Sequence, residues 1–150
     1  MTEQSKGLSK LGSPTTYTVD NPGPHILEAF ANRHPERDYL ITFTHPEFTS
    51  LCPMTGQPDF ATITLRYVPD LKCVESKSFK LYMTAFRNHG SFMESITNQI
   101  ADDLIEFLAP RCLEVRGQFN VRGGTAITIK VNYINQELAP ERRQALRDIM

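Results

Sequence analysis

The chain predicts an α+β fold: a four-stranded antiparallel sheet carrying two helices on one face, in the order strand, strand, helix, helix, strand, strand. Three observations carry this reading. Apolar and polar residues alternate over 39–44 and 62–68. They then recur at helical spacing over 77–87 and again from 91 to 108. Alternation returns over 112–121 and 125–134, where Arg122-Gly123-Gly124 supplies a hairpin turn.

The elements follow in order. Residues 1–24 are polar, hold Gly7, Gly12, Pro14, Pro22, Gly23 and Pro24, and show no periodicity, so they read as a mobile arm ahead of a domain over 25–136. Ile26, Leu27 and Phe30 could form the apolar face of a short helix after Pro24. Tyr39, Ile41 and Phe43 mark a first strand, expected to stop at His45-Pro46 because proline cannot donate to a ladder. A turn-rich loop is expected over 47–59, with Pro53, Gly56 and Pro58. Ile63, Leu65 and Tyr67 share one face of the next strand.

Phe79, Tyr82, Met83 and Phe86 fall at helical spacing, and Asn88-His89-Gly90 ends that helix. In the second helix Phe92, Ile96, Ile100, Leu104 and Leu108 recur every four residues, with Asp102, Asp103 and Glu106 between them, up to Pro110. Residues 137–150 form a tail, a short polar helix or frayed end with Pro140 in its first turn. Such a sheet leaves one face uncovered. A chain this small would gain by burying that face, or the sheet edges, against copies of itself.

With 150 residues and 17.0 kDa the chain has room for one domain. Its net charge of −1 excludes nucleic-acid binding by bulk positive charge. No apolar run approaches the ~20 residues that cross a bilayer. MTEQSKGLSKLG lacks the apolar core of a secretory signal, and Cys52, Cys73 and Cys112 are an odd, widely spaced set. The expectation is reduced thiols in the cytoplasm.

Several residues carry potential chemistry. Cys52, in a Pro/Gly-rich loop, reads equally as a nucleophile or as a small packing residue. Asp59, seven residues on, is a proton donor or, more simply, a turn cap. Glu75 or Ser76 suits a helix cap. Lys77 and Lys80 oppose the dipole of the same helix, so they mark a phosphate site or a solvated surface. Glu94 could accept two adjacent N–H groups of a planar base or meet a helix dipole. His89 reads as structural. Arg122-Gly123-Gly124 could wrap a phosphate, though a plain hairpin turn is simpler. The cysteines and His89 lack metal-ligand spacing, and no GxGxxG or Walker motif is present, so no metal is expected.

Taken together, these segments resemble a known family. Glu75-Ser-Lys-Ser-Phe-Lys-Leu-Tyr82 fits the signature of the NADPH-dependent nitrile reductases of queuosine biosynthesis, and Glu47 to Phe60 resembles their nucleophile loop. Phe86-Arg-Asn-His-Gly90, Glu94 and Arg122-Gly-Gly124 match in order, so the resemblance spans about residues 36–134.

The resemblance implies the tunnelling fold (T-fold), shared with GTP cyclohydrolase I, in which subunits join their sheets into a barrel. The single-domain branch implies a decamer of two stacked pentamers with active sites between subunits. It implies reduction of 7-cyano-7-deazaguanine to 7-aminomethyl-7-deazaguanine, with two NADPH per turnover and no direct nucleic-acid binding. On the same grounds Cys52 forms a covalent thioimide and Asp59 supplies a proton. Val74, Glu75, Ser76, Met93 and Glu94 bind the substrate. Lys77, Lys80, Arg122 and Gly123 bind the cofactor. Many members have His immediately before the recognition Glu, where this chain has Met93. A related archaeal tRNA amidinotransferase branch lacks the motif that Glu75–Tyr82 preserves, which favours reduction over that transfer.

Overall fold

The computed structural model describes residues 6–10, 12–14 and 20–150. In chain order the elements are β1 (Ala29–Ala31), β2 (Ile41–Leu51), β3 (Pro58–Val68), β4 (Lys72–Val74), α1 (Ser76–Thr84), α2 (Met93–Leu108), β5 (Cys112–Arg122), β6 (Thr125–Ile134) and α3 (Pro140–Ile149). The main sheet is antiparallel in the order β2-β3-β5-β6. β1 and β4 form a separate two-stranded sheet.

Register decides which side chains meet. Ile41 pairs with Tyr67 and Phe43 with Leu65, while Leu65 pairs with Val115 and Tyr67 with Leu113. Directly opposed residues share a face, so these apolar side chains form one surface. The four-residue stripe of α2 (Ile96, Ile100, Leu104, Leu108) is buried in the same cluster, together with Phe79, Tyr82 and Met83 of α1. Gly117 of β5 sits under α2. A Cβ there would lie 2.7 Å from Thr97 Oγ1, so only glycine lets the helix come this close.

Ring pairs orient α1. Phe43 meets Phe79 at 4.8 Å, and Phe48 meets Phe86 at 5.5 Å. The helix therefore runs alongside β2 in the same direction, and a 3-10 turn over Ala85–Asn88 extends it.

The structure corrects several expectations. β2 does not stop at Pro46 but continues to Leu51, with a bulge between His45 and Phe48. It is an edge strand, so a residue without an N–H can sit where no ladder bond is required. The expected loop over 47–59 shrinks to residues 52–57. The expected helix after Pro24 is a 3-10 turn over Pro24–Ile26, followed by β1, which pairs Ala29 with Val74 and Phe30 with Cys73. Three-residue strands are too short to leave a period in the sequence.

The C-terminal stretch is a helix and packs on the domain. Leu146 of α3 is fully buried with Val68 and Cys112 on the sheet face away from α1 and α2. That face is therefore covered at one end. Elsewhere it carries polar residues such as Thr64, Arg116 and Gln118, so it is no apolar surface in need of a partner. Of the expected arm, residues 1–5, 11 and 15–19 lie outside the described residues. In its described part, the Ser9 and Lys10 N–H groups donate to the Glu28 carboxylate at 3.1 and 3.2 Å.

Arg111 ties the sheet to its surroundings. Its buried guanidinium donates to Asp38 at 2.8 Å, to the Arg37 carbonyl at 3.0 Å, to Asp70 at 3.1 Å and to the Pro35 carbonyl. Arg142 of α3 reaches the same Asp38 oxygen at 3.1 Å. Partial burial raises the Asp38 carboxyl, but hydrogen bonds and charge from Arg142 and Arg111 outweigh it and hold it below the ordinary carboxylate range. This contribution is fully present above the unfolded value and is lost as pH falls through the depressed one. Arg111→Leu is expected to cost about 1–3 kcal/mol in urea unfolding at pH 7, and less in acid, because the half-buried Asp38 keeps only Arg142 and the Arg37 and Pro35 carbonyls lose their donor. An unchanged urea midpoint at pH 7 would show that the cluster contributes nothing.

Candidate active site

The β2–β3 hairpin presents Cys52. Its N–H donates to the Gln57 carbonyl at 2.8 Å, and the Gly56 N–H donates to the Cys52 carbonyl at 2.9 Å. The connector between the helices grips the same strand end. The Leu51 N–H donates to the His89 carbonyl at 3.0 Å, and the Ser91 N–H donates to the Leu51 carbonyl at 3.1 Å. His89 stacks edge-on against Phe86 at 5.7 Å, so it anchors the connector, as its structural reading holds.

Hydrogen bonds from the Thr55 hydroxyl and from the Met54 and Thr55 N–H groups draw the half-exposed Cys52 thiol down to about 7. Partial desolvation opposes this, and the Arg122 guanidinium adds to it. All but the last act through the turn itself, which aims its donors at the sulfur. Cys73 and Cys112 are buried, and burial pushes the Cys112 thiol up.

Asp59, the second residue of β3, stands opposite Ser50 and is 6% exposed. Arg122, the last residue of β5, reaches across from the neighbouring hairpin. Its Nη1 lies 2.9 Å from Asp59 Oδ1, and its Nη2 donates to Gln57 Oε1 at 2.8 Å. The turn that ends β5 here needs left-handed backbone, and Gly123 and Gly124 supply it at φ 58° and 80°. Ser50 Oγ is buried with no partner among the described residues.

The expected site residues fall into two groups. Cys52, Asp59, Arg122 and Gly123 share the hairpin end. Met93 and Glu94 open α2 just after the connector that grips Leu51. Glu94 is exposed, and its carboxylate makes no hydrogen bond among the described residues, whereas Met93 packs on the core. Val74, Glu75, Ser76 and Lys77 lie at the opposite end of β2, where α1 begins, and Lys80 follows one turn later. From Glu75 to His89 the helical rise alone spans about 20 Å.

At that second end Glu75 caps α1: its carboxylate accepts from the Lys77 and Ser78 N–H groups, each at 2.8 Å. Val74 is buried, Ser76 and Lys80 are exposed, and Lys77 Nζ donates to the Ser13 carbonyl. Three contributors to the hairpin end went unseen in the sequence: Ser50, Thr55 and Gln57. Thr55 and Gln57 sit inside the recognised loop, but nothing in their spacing marks them.

A family model described as QueF-like protein matches residues 58–138. Three relatives carry the name NADPH-dependent 7-cyano-7-deazaguanine reductase. That of Nitratidesulfovibrio vulgaris is 52% identical over 149 residues, covering 99% of this chain and 90% of its own. That of Neisseria meningitidis is 55% identical, covering 88% and 84%. That of Porphyromonas gingivalis is 56% identical, covering 87% and 84%. The chain belongs to this reductase family.

Members of the family are oxidoreductases, and this chain is one. The solved apo structure of the archaeosine synthase QueF-Like matches it with a TM-score of 0.58 at 15% identity, over 62% of this chain and 91% of that one, which shows a shared fold. For this reductase the state of the Cys52 thiol is directly measurable. Alkylation by iodoacetamide should be confined to Cys52 and rise with pH about a midpoint near 7. Labelling of Cys73 or Cys112 at a comparable rate in the folded protein would contradict the burial described.

Proposed function

We propose that this protein reduces the nitrile of 7-cyano-7-deazaguanine (preQ0) to the aminomethyl group of preQ1 through a covalent thioimide on Cys52, in queuosine biosynthesis. The observation that supports this most is the hairpin end, where a thiol drawn down to about 7 shares one small region with a buried carboxylate.

Cys52 Sγ attacks the nitrile carbon, one C–N π bond breaks, and its electron pair moves to nitrogen. Asp59 delivers a proton to that nitrogen, so the proton given up by the thiol ends on the imide and none is consumed. One NADPH supplies a hydride to the carbon of the remaining C–N π bond while a solvent proton goes to nitrogen. The π bond re-forms as the C–S bond breaks, a second NADPH supplies a hydride to it, and a second solvent proton resets the thiol. Between the two hydrides Cys52 departs as a thiolate, held by the same Thr55 and Met54 donors that favour it in the free protein. Glu94 accepts from adjacent N–H groups of the guanine-like edge, and the Met93 thioether packs on the flat ring.

Lys77 and Lys80 fit the cofactor. They stand at a helix N-terminus, where two cations alone are unfavourable and a bound phosphate would offset them. Val74, Glu75 and Ser76 line the base pocket from this end, and the Glu75 cap holds their backbone rigid.

The two groups lie too far apart to enclose one base within a single chain. Met54, Phe60, Phe92 and Val121 are exposed apolar residues around the hairpin end, and β2 and β6 each leave an edge open. We read this as subunits joining their sheets into a barrel, a decamer of two pentamers in which the hairpin end of one copy meets the start of α1 of another. The protein acts on the free base in the cytoplasm without binding nucleic acid directly.

Mixing protein with preQ0 in the absence of NADPH should raise the intact mass by one substrate, and Cys52→Ala should abolish the rise. Asp59→Asn should slow the adduct by about 10²–10⁴-fold. Wild-type protein that turns over without ever showing an adduct would overturn the covalent route. For the composite site, Cys52→Ala refolded together with a Lys77→Ala, Lys80→Ala double variant should regain about a quarter of wild-type activity. No recovery in mixed oligomers would mean that each site is built within one chain.

A further inference from the structure

We propose that Arg122 is a positioning residue for the covalent step, holding Asp59 and the nucleophile turn in register, rather than a ligand of the cofactor phosphates. The proposal rests on the reading that Cys52 and Asp59 perform the addition.

The guanidinium already has partners. Nη1 faces Asp59 Oδ1 at 2.9 Å, and Nη2 donates to Gln57 Oε1 at 2.8 Å. Gln57 closes the nucleophile turn, since its carbonyl accepts the Cys52 N–H at 2.8 Å. One planar fork therefore joins the acid to the loop that carries the sulfur, which a point charge could not do. Asp59 is nearly buried, so drawing Arg122 away towards a phosphate would strand a carboxylate out of water. The other basic candidates, Lys77 and Lys80, stand at the far end of the same chain and make no such contact.

The charge pattern suits the chemistry. Before attack, Cys52 and Asp59 share one proton and one negative charge, either as thiolate and acid or as thiol and carboxylate. After attack the sulfur is uncharged, the proton sits on nitrogen, and the negative charge rests on Asp59. Arg122 touches Asp59 directly, so it favours the arrangement with the negative charge on Asp59, which is the one reached once the proton has moved to nitrogen. With Oδ1 held by the guanidinium, Oδ2 is left to carry the proton. The left-handed turn at Gly123 and Gly124, directly after Arg122, lets β5 end within reach of Asp59.

The test separates this role from cofactor binding because adduct formation needs no NADPH. Adduct rate and iodoacetamide pH profile are measured for wild type, Arg122→Met and Arg122→Lys, with the KM for NADPH measured in turnover. Arg122→Met should slow the adduct by ~tenfold or more and move the alkylation midpoint up only slightly, because the donors of the turn supply most of the lowering. Arg122→Lys should recover most of the midpoint through its charge but little of the rate. Gln57→Leu, which removes one anchor and leaves the charge, should slow the adduct at an unchanged KM for NADPH. Wild-type adduct rates and pH profiles in all three variants, with a raised KM for NADPH in the Arg122 variants, would return Arg122 to the phosphates. If the wild type itself forms no adduct, the reading beneath the proposal fails instead.

Discussion

The edge position of β2 is the constraint on which the site depends. An edge strand has one side free of ladder bonds, so it tolerates Pro46 and absorbs the extra residue in a bulge. Because the strand survives the proline, β2 and β3 close in a short hairpin rather than a long loop. Cys52 then falls at the hairpin tip and Asp59 at the start of the returning strand. Had β2 ended at His45, both would ride on a flexible segment. The two backbone bonds at Leu51 complete the arrangement, since they fasten the strand end to the connector that launches α2.

From this follows a division of labour along the sheet. The hairpin end concentrates the reactive groups, and the start of α1 holds rigid backbone and cations. The separation comes from chain direction. α1 runs beside β2 in the same sense, so its first residues must lie at the opposite end from the hairpin. Glu75 shows how local chemistry serves that plan. The carboxylate that caps α1 also fixes Val74 and Ser76 on either side.

The rest of the molecule supports these ends without sharing in the chemistry. One face of the sheet is buried under α1 and α2, and α3 seals one end of the other through Leu146. The buried Arg111 cluster collects the loop before β2, the β3–β4 turn and α3 at the end remote from Cys52. Charge inside the fold is therefore used twice, with a guanidinium binding carboxylates at each end. At one end this fastens the loops and α3, and at the other it joins Asp59 to Gln57 of the hairpin turn.

The sequence by itself determined the central strands and both long helices and marked Cys52 as a candidate nucleophile, because each leaves a periodic or chemical mark within a few residues. Ile63, Leu65 and Tyr67 alternate, Ile96 to Leu108 recur by fours, and Cys52 stands in its loop beside the Glu75–Tyr82 signature. What only the tertiary structure decided are pairings between distant segments: β1 with β4, β2 through its proline, α3 on Val68 and Cys112, and Arg122 on Asp59 and Gln57. Such contacts depend on register and chain direction, which arise only when separated strands are brought side by side. The Arg122 pairing shows the difference most plainly. A basic residue before two glycines reads as a hairpin turn or a phosphate loop in one dimension, and in three it is also the counter-charge of a buried acid.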